Sequence, residues 1–238
     1  MSGFRADLFS EIKFAKEHFD FTEITIQPEL LKTIDNIFYD LKEVVAGFEV
    51  LGHIHWEIID LDSIFKNIKT LKDLGAEKTT IHPFKSLSIK ENTKIFNKIN
   101  NFSQENEIQL LVENVSYSPF NSADTLLKLV EKIPNIGVTL DVGHANRILD
   151  LDKFIDIFKT KIKHIHLHDN IENFDHLFYE NQNKLAGVFS KLNSLGYNGT
   201  VLLETFSVMK DGKNISQEFS EIKELHIEQL KKVKSILK

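Results

Sequence analysis

Short apolar runs alternate along this chain with longer stretches whose apolar residues recur at helical spacing, and that alternation limits the fold more than any other feature. The runs that read as strands are Phe21–Ile26, Phe48–His55, Lys78–His82, Ile108–Glu113, Gly137–Asp141, Ile162–His168 and Thr200–Glu204. Between them the spacing predicts helices over Glu29–Val45, Leu61–Leu74, Ser88–Asn106, Ser122–Lys132, Asp150–Thr160, Lys184–Leu195 and Glu218–Leu237. Asp62 or Ser63 and Asn121 or Ser122 are candidate N-caps, Gly75 and Gly196 are stops, and Pro134 closes another helix. A further helix over Asp7–Phe19 leaves Ser2–Asp7 for the first strand, which makes eight strands alternating with eight helices. Such units pair in parallel through right-handed crossovers. An open doubly wound sheet and a closed barrel both satisfy the pattern. The count, together with a length of 238 residues, favours a single α/β domain over residues 1–238, a (β/α)8 barrel with parallel strands. No Gly-rich phosphate loop follows the first strand, which counts against a dinucleotide-binding sheet.

Composition removes several classes. With no cysteine, a disulfide-stapled fold, a cysteine zinc finger and a thiol nucleophile are all excluded. A net charge of −6 disfavours a basic nucleic-acid scaffold, so nucleic acid is not the expected partner. Met1–Asp7 has no apolar segment of the signal-peptide kind, and no apolar run approaches the roughly 20 residues of a membrane helix. The expectation is a cytoplasmic protein with no membrane partner. Asn198-Gly199-Thr200 is read as a chance triplet, and the lysines of Lys231-Lys232-Val233-Lys234 as a solvated face.

The chemistry gathers at the strand ends. Successive segments close with Gly52-His53-Ile54-His55, Thr80-Ile81-His82-Pro83, Leu111-Val112-Glu113-Asn114, Asp141-Val142-Gly143-His144, His164-Ile165-His166-Leu167-His168-Asp169 and Leu202-Leu203-Glu204. In a parallel barrel all these ends open onto one rim, where active sites form. Several carboxylates cannot sit unpaired in an apolar mouth, because desolvating each charge is costly. Lysine and arginine are sparse there, so a divalent metal is the economical counter-charge. Mixed imidazole and carboxylate ligands suit zinc, manganese or cobalt, with magnesium less favoured as imidazoles accumulate. Taken singly, each residue has a plainer reading: Glu113 pairing with a lysine, Asp141 capping the next helix, the alternating His164, His166 and His168 serving as core groups. It is their joint occurrence that points to a site. His18 and His226 fall in predicted helices and read as structural. Trp56 is placed either to stack on a sugar or to cover the mouth.

These segments resemble the xylose-isomerase-like TIM barrels, a superfamily of sugar phosphate isomerases and epimerases and metal-dependent apurinic/apyrimidinic endonucleases. The residues that carry the resemblance are Leu-Leu-Val-Glu113-Asn, Leu-Asp141-Val-Gly-His144-Ala, His-Ile-His166-Leu-His-Asp, Leu-Leu-Glu204 and Gly-Tyr197-Asn-Gly199. It runs from about residue 20 to 206. The resemblance implies a metal held by Glu113, Asp141, His166 and Glu204. It further implies that His55, His82, His144, His168 and His176 could serve additional metals or the substrate, as in the endonuclease branch. After the seventh strand the chain reads Asn173-Phe174-Asp175-His176, with Asp adjacent to His, and Tyr179-Glu180-Asn181 stands where that branch has Gly-Glu-Gly.

Three functions follow from the resemblance. In a sugar or sugar phosphate isomerase/epimerase, the metal would chelate a substrate carbonyl and its neighbouring hydroxyl. Glu113 and Glu204 would then exchange a proton on the adjacent carbon from opposite faces, with His82 or His168 on hydroxyls and Trp56 and Asn114 contacting the sugar. In an apurinic/apyrimidinic endonuclease, several metals would hydrolyse a phosphodiester. For that role the rim offers mainly Lys85 and Arg147 as phosphate contacts, and short loops such as Pro83–Leu87 leave little to insert into a duplex. A non-catalytic ligand-binding barrel is the third reading. The first is the expectation, with manganese or zinc as the leading metals, cobalt and magnesium behind them, and a small sugar as the partner.

Overall fold

The computed structural model describes residues 8–171, 174–178, 182–205, 207–210, 213–216 and 219–236. The elements run α1 (Leu8–His18), β1 (Phe21–Ile26), α2 (Pro28–Val45), β2 (Glu49–Ile54), α3 (Leu61–Asp73), β3 (Lys78–Ile81), α4 (Ile89–Glu105) and β4 (Gln109–Glu113). They continue with α5 (Ala123–Val130), β5 (Gly137–Asp141), α6 (Val142–Arg147), α7 (Leu151–Phe158), β6 (Ile162–Leu167), β7 (Asp169–Ile171) and β8 (Phe174–Leu177). Last come α8 (Gln182–Ser194), β9 (Thr200–Leu203), β10 (Ser207–Lys210), β11 (Lys213–Ser216) and α9 (Phe219–Ile236).

Seven strands lie side by side in the order β1-β2-β3-β4-β5-β6-β9, each neighbouring pair parallel. They form a nearly closed barrel with helices around it, an α/β barrel of the TIM type. The eighth expected strand, Ser2–Asp7, lies outside the described residues. No helix among the described residues is long and apolar enough to cross a membrane.

Local chemistry sets the element ends. Pro28 opens α2, where its missing N–H costs nothing. Asp60 caps α3 by accepting from the Ser63 N–H at 2.8 Å, just upstream of the two residues the sequence nominates. Ser88 and Glu91 make a reciprocal capping box on α4. Ser122 caps α5, and Gly75 follows α3 with φ 95°.

Strand alternation divides the side chains into two sets. Ile24, Ile26, Val50, Ile54, Leu110, Val112, Leu140, Ile165 and Leu167 are buried in the shell shared with the helices, beside Leu71, Phe96 and Phe154. Gly52 belongs to that outer face, and a Cβ there would sit 3.0 Å from Thr79 Oγ1 and closer still to Leu71, so α3 lies tight against β2. The opposite set is mostly polar, with Leu51, Leu111 and Leu202 also among it. Glu23, His53, Thr80, Glu113, Thr139, Asp141, His164 and His166 are all buried, and Thr80 and Thr139 bond across the interior at 2.8 Å.

Two features go beyond the sequence expectation. Asp141 starts a short helix, α6, by accepting from the His144 N–H at 2.6 Å. The segments after β6 and β9 also build a second sheet of order β11-β10-β8-β7, joined at Ser207 and Leu177.

Candidate metal centre

Because the strands are parallel, their C-terminal ends deliver side chains to one mouth. Glu113 ends β4, Asp141 ends β5, His166 lies near the end of β6, and Glu204 directly follows β9. One ligand atom from each of these four lies within 4.8 Å of the others. All four are buried. His166 Nδ1 is 2.9 Å from Glu204 Oε2 and 3.4 Å from Glu113 Oε2, yet it makes no hydrogen bond of good geometry. Among the described residues, the ion-pair partners of Glu113 and Asp141 are imidazoles rather than lysine or arginine. Three carboxylates and one imidazole nitrogen, converging from buried positions, are a donor set that fits a divalent cation.

The electrostatics favour the charged forms of Glu113, Glu204 and His166. Burial opposes the charge on Glu113, but His166 and His82 outweigh it and hold the carboxyl well below its ordinary value. Burial likewise opposes the charge on Glu204, and His166 again prevails, lowering it. Burial disfavours the His166 imidazolium, but Glu23, Glu204 and Glu113 together hold it well above the usual histidine range.

Two imidazole groups flank this centre. On one side His82 Nε2 donates to Glu113 Oε2 at 3.1 Å, and His53 Nε2 lies 3.6 Å from the same oxygen. On the other side His144, His168 and His176 converge. His168 Nε2 donates to Asp141 at 3.0 Å, and its Nδ1 lies 3.1 Å from Asp175 Oδ1. His144 Nδ1 donates to the Asn114 carbonyl at 3.1 Å and lies 3.4 Å from Asp141 Oδ2. His176 takes the left-handed backbone region, φ 54°, and stacks on His168 with centroids 4.2 Å apart. Arg147 holds Asp175 at 3.0 Å. Burial opposes the Asp175 charge, but His168 prevails and keeps that carboxyl low.

Not every residue nominated by the sequence joins this centre. β2 ends at Ile54, so His55 leaves the sheet. Its Nδ1 lies 3.8 Å from Glu57 Oε2 and its ring tilts against Trp56, while His53 occupies the place beside Glu113. Trp56 is 63% exposed on the rim. Asn114, nominated as a substrate contact, instead directs its whole amide at Asp141, donating to the carbonyl at 2.9 Å and accepting from the N–H at 2.8 Å. Glu23, which the strand pattern alone does not reveal, lies under the mouth against His53, His164 and His166. The available signal was a carboxylate inside an otherwise apolar and β-branched run, Phe21-Thr-Glu-Ile-Thr-Ile26.

Comparison with known proteins places this geometry in context. Two uncharacterised proteins of Methanocaldococcus jannaschii are similar in sequence. MJ1311 is 26% identical over 249 residues, covering 88% of this chain and 83% of that one. MJ1614 is 29% identical over 125 residues, so the chain spans about half (49%) of its length. A D-psicose 3-epimerase solved in the presence of D-fructose shares the fold with a TM-score of 0.74 at 14% identity, over 98% of this chain and 94% of that one. A xylose isomerase-like TIM barrel protein from Mycobacterium smegmatis, solved in complex with magnesium, shares it with a TM-score of 0.69 at 13% identity, over 97% and 89%. The family description "Xylose isomerase-like TIM barrel" matches residues 44–225, and with that match, the parallel barrel and the strand-end cluster all in agreement, the chain belongs to the xylose isomerase-like TIM barrel family.

Proposed function

We propose that this chain, working as one domain, is a divalent-metal-dependent isomerase or epimerase of a sugar or sugar phosphate. The observation that carries the proposal is the convergence of Glu113, Asp141, His166 and Glu204 within 4.8 Å at the barrel mouth. A divalent cation held there, manganese or zinc before cobalt or magnesium, would polarise a chelated carbonyl as a Lewis acid. The side chains supply the rest. Glu113 and Glu204 enter from different strands and are kept ionised, so either can take the proton from the carbon beside the carbonyl, while the other must first take up a proton from solvent before it can return one to the opposite face. Asn114 fixes Asp141 through two hydrogen bonds, and His168 braces the same carboxylate. Exposed Trp56 offers a rim surface for a sugar face. The likeness to a D-psicose 3-epimerase supports a sugar substrate. The test is to load the protein with Mn2+ or Zn2+, count bound ions by elemental analysis, and assay ketoses and ketose phosphates in deuterated water. Deuterium incorporation beside the carbonyl is expected, and its absence across the panel would refute the reading.

One observation favours a second reading, phosphodiester hydrolysis at abasic DNA. The groups His53/His82/Glu113 and His144/His168/His176 flank the central four, and a multi-metal hydrolase would use such sets. Against it, the two rim cations are engaged: Arg147 with Asp175, and Lys85 over the Tyr117 ring at 5.5 Å. Cleavage of an abasic-site oligonucleotide with two or three ions bound per chain would decide for this alternative.

A further inference from the structure

Beneath the mouth, the Glu23 side chain has no solvent exposure and meets three imidazoles. Its Oε1 accepts from His53 Nδ1 at 3.2 Å. Its Oε2 accepts from His166 Nε2 at 3.2 Å, and His164 Nε2 lies 3.2 Å from the same oxygen. Two of these rings reach past Glu23 toward the mouth. His166 Nδ1 is 3.4 Å and His53 Nε2 is 3.6 Å from one oxygen of Glu113. His53 and His166 therefore each span from Glu23 below to Glu113 above.

A carboxylate accepts hydrogen bonds and donates none, and a neutral imidazole carries a single N–H. When the rings are neutral, as metal ligation requires, whichever nitrogen faces Glu23 must carry the single proton, and the opposite nitrogen is left with its lone pair. We propose that Glu23 is a positioning residue for the metal centre, an inference that rests on the metal reading above. It holds the protons on His166 Nε2 and His53 Nδ1, and so aims the lone pairs of His166 Nδ1 and His53 Nε2 at the mouth. One carboxylate thus sets the tautomer and tilt of two rings, one in the central four and one in the flanking group. His164 stays below, its Nδ1 2.7 Å from Thr200 Oγ1. A buried charge is costly to keep where an apolar side chain would fill the space, and orienting two ligand rings is a physical reason for its presence.

Cobalt uptake and ring-nitrogen NMR test the proposal. Glu23→Gln keeps the shape but replaces one acceptor oxygen with a donor. Its Co2+ affinity by calorimetry should fall by about 10–100-fold, with an altered visible d–d band and an unchanged circular dichroism spectrum of the metal-free protein. Glu23→Asp, which keeps the charge, should recover part of that affinity. In the zinc-loaded wild type the ring shifts should place protons on His166 Nε2 and His53 Nδ1. That measurement needs no variant and decides the matter even where Glu23→Gln fails to fold. Wild-type affinity and spectrum in Glu23→Gln, or protons on the opposite nitrogens, would overturn the proposal while leaving the four-residue site standing. A wild type that takes up no cobalt would refute the metal reading, and this inference with it.

Discussion

Gly143 sits one residue into α6, directly against the His168 ring. A Cβ added there would lie 2.7 Å from His168 Nε2 and closer still to Cε1 and Nδ1. The ring cannot simply swing away, since Asp141 holds its Nε2 at 3.0 Å and Asp175 faces its Nδ1 at 3.1 Å. In Gly143→Ala, moving the ring gives up at least one hydrogen bond to a charged group, worth about 1.5–3 kcal/mol, and overpacking adds about 1–3 kcal/mol. A loss of about 3–5 kcal/mol lowers the melting temperature of a chain this size by at least about 6 °C. Displacing His168 also frees Asp141, so metal affinity should fall in the same variant. The natural control is Gly187→Ala in α8, where an added Cβ meets nothing within 4 Å. That change removes a flexible residue from an exposed helix position and should stabilise by about 0.5–1 kcal/mol. Differential scanning calorimetry of both variants, with a zinc titration of each, gives the comparison. If Gly143→Ala melts with the wild type and binds zinc equally well, the argument from the confined imidazole is wrong.

On the proposed reading, Glu113→Gln and Glu204→Gln should each reduce turnover by about 10²–10⁴-fold with an unchanged circular dichroism spectrum, and full activity in either variant would remove the two-carboxylate scheme. Asn114→Ala leaves the Asp141 N–H and C=O without their partners, at about 1–3 kcal/mol for each orphaned group, which a urea midpoint would register. The pH dependence has opposite signs with and without metal. Burial disfavours the imidazolium of His166 and of His168, but Glu23 and Asp141 respectively lead the carboxylates that raise both well above the ordinary value. In the metal-free protein that stabilisation is complete below the unfolded value of about 6.5 and fades as pH rises through the folded values. Coordination needs neutral imidazole, so zinc binding should release protons and tighten as pH rises through the raised folded values, and calorimetry in buffers of differing ionisation heat would show a flat profile if this is wrong.

The barrel was legible because its evidence repeats. Seven apolar runs, spaced by helical stretches, correspond to β1 to β6 and β9 within a residue or two, and the strand-end acids and imidazoles follow from parallel pairing. What stayed hidden depends on which way a side chain turns. His53 and His55 share a strand face in a two-residue alternation, and only the end of β2 at Ile54 separates them. Glu23 stands outside the strand-end pattern, and only the closure of the barrel brings it under His166. Asn114 is adjacent to Glu113 in sequence, but its work is on the neighbouring strand, a relation no linear spacing encodes. The strands β7, β8, β10 and β11 are only three or four residues long and include polar segments such as Asp169–Ile171 and Lys213–Ser216, too brief to show periodicity.

The lumen of this barrel carries a connected set of acids and bases beside a few leucines, and that shapes how such a chain can drift over generations. In the outer shell an isoleucine can become a valine for about 0.5–1.5 kcal/mol, one step at a time. Inside, exchanging one member of the Glu23, His53, Glu113 and His166 circuit strands a charge out of reach of water, a loss of about 3–5 kcal/mol. Neutral exploration is therefore open to the shell and closed to the lumen unless partners change together, so that folding itself guards the reactive groups against piecemeal loss.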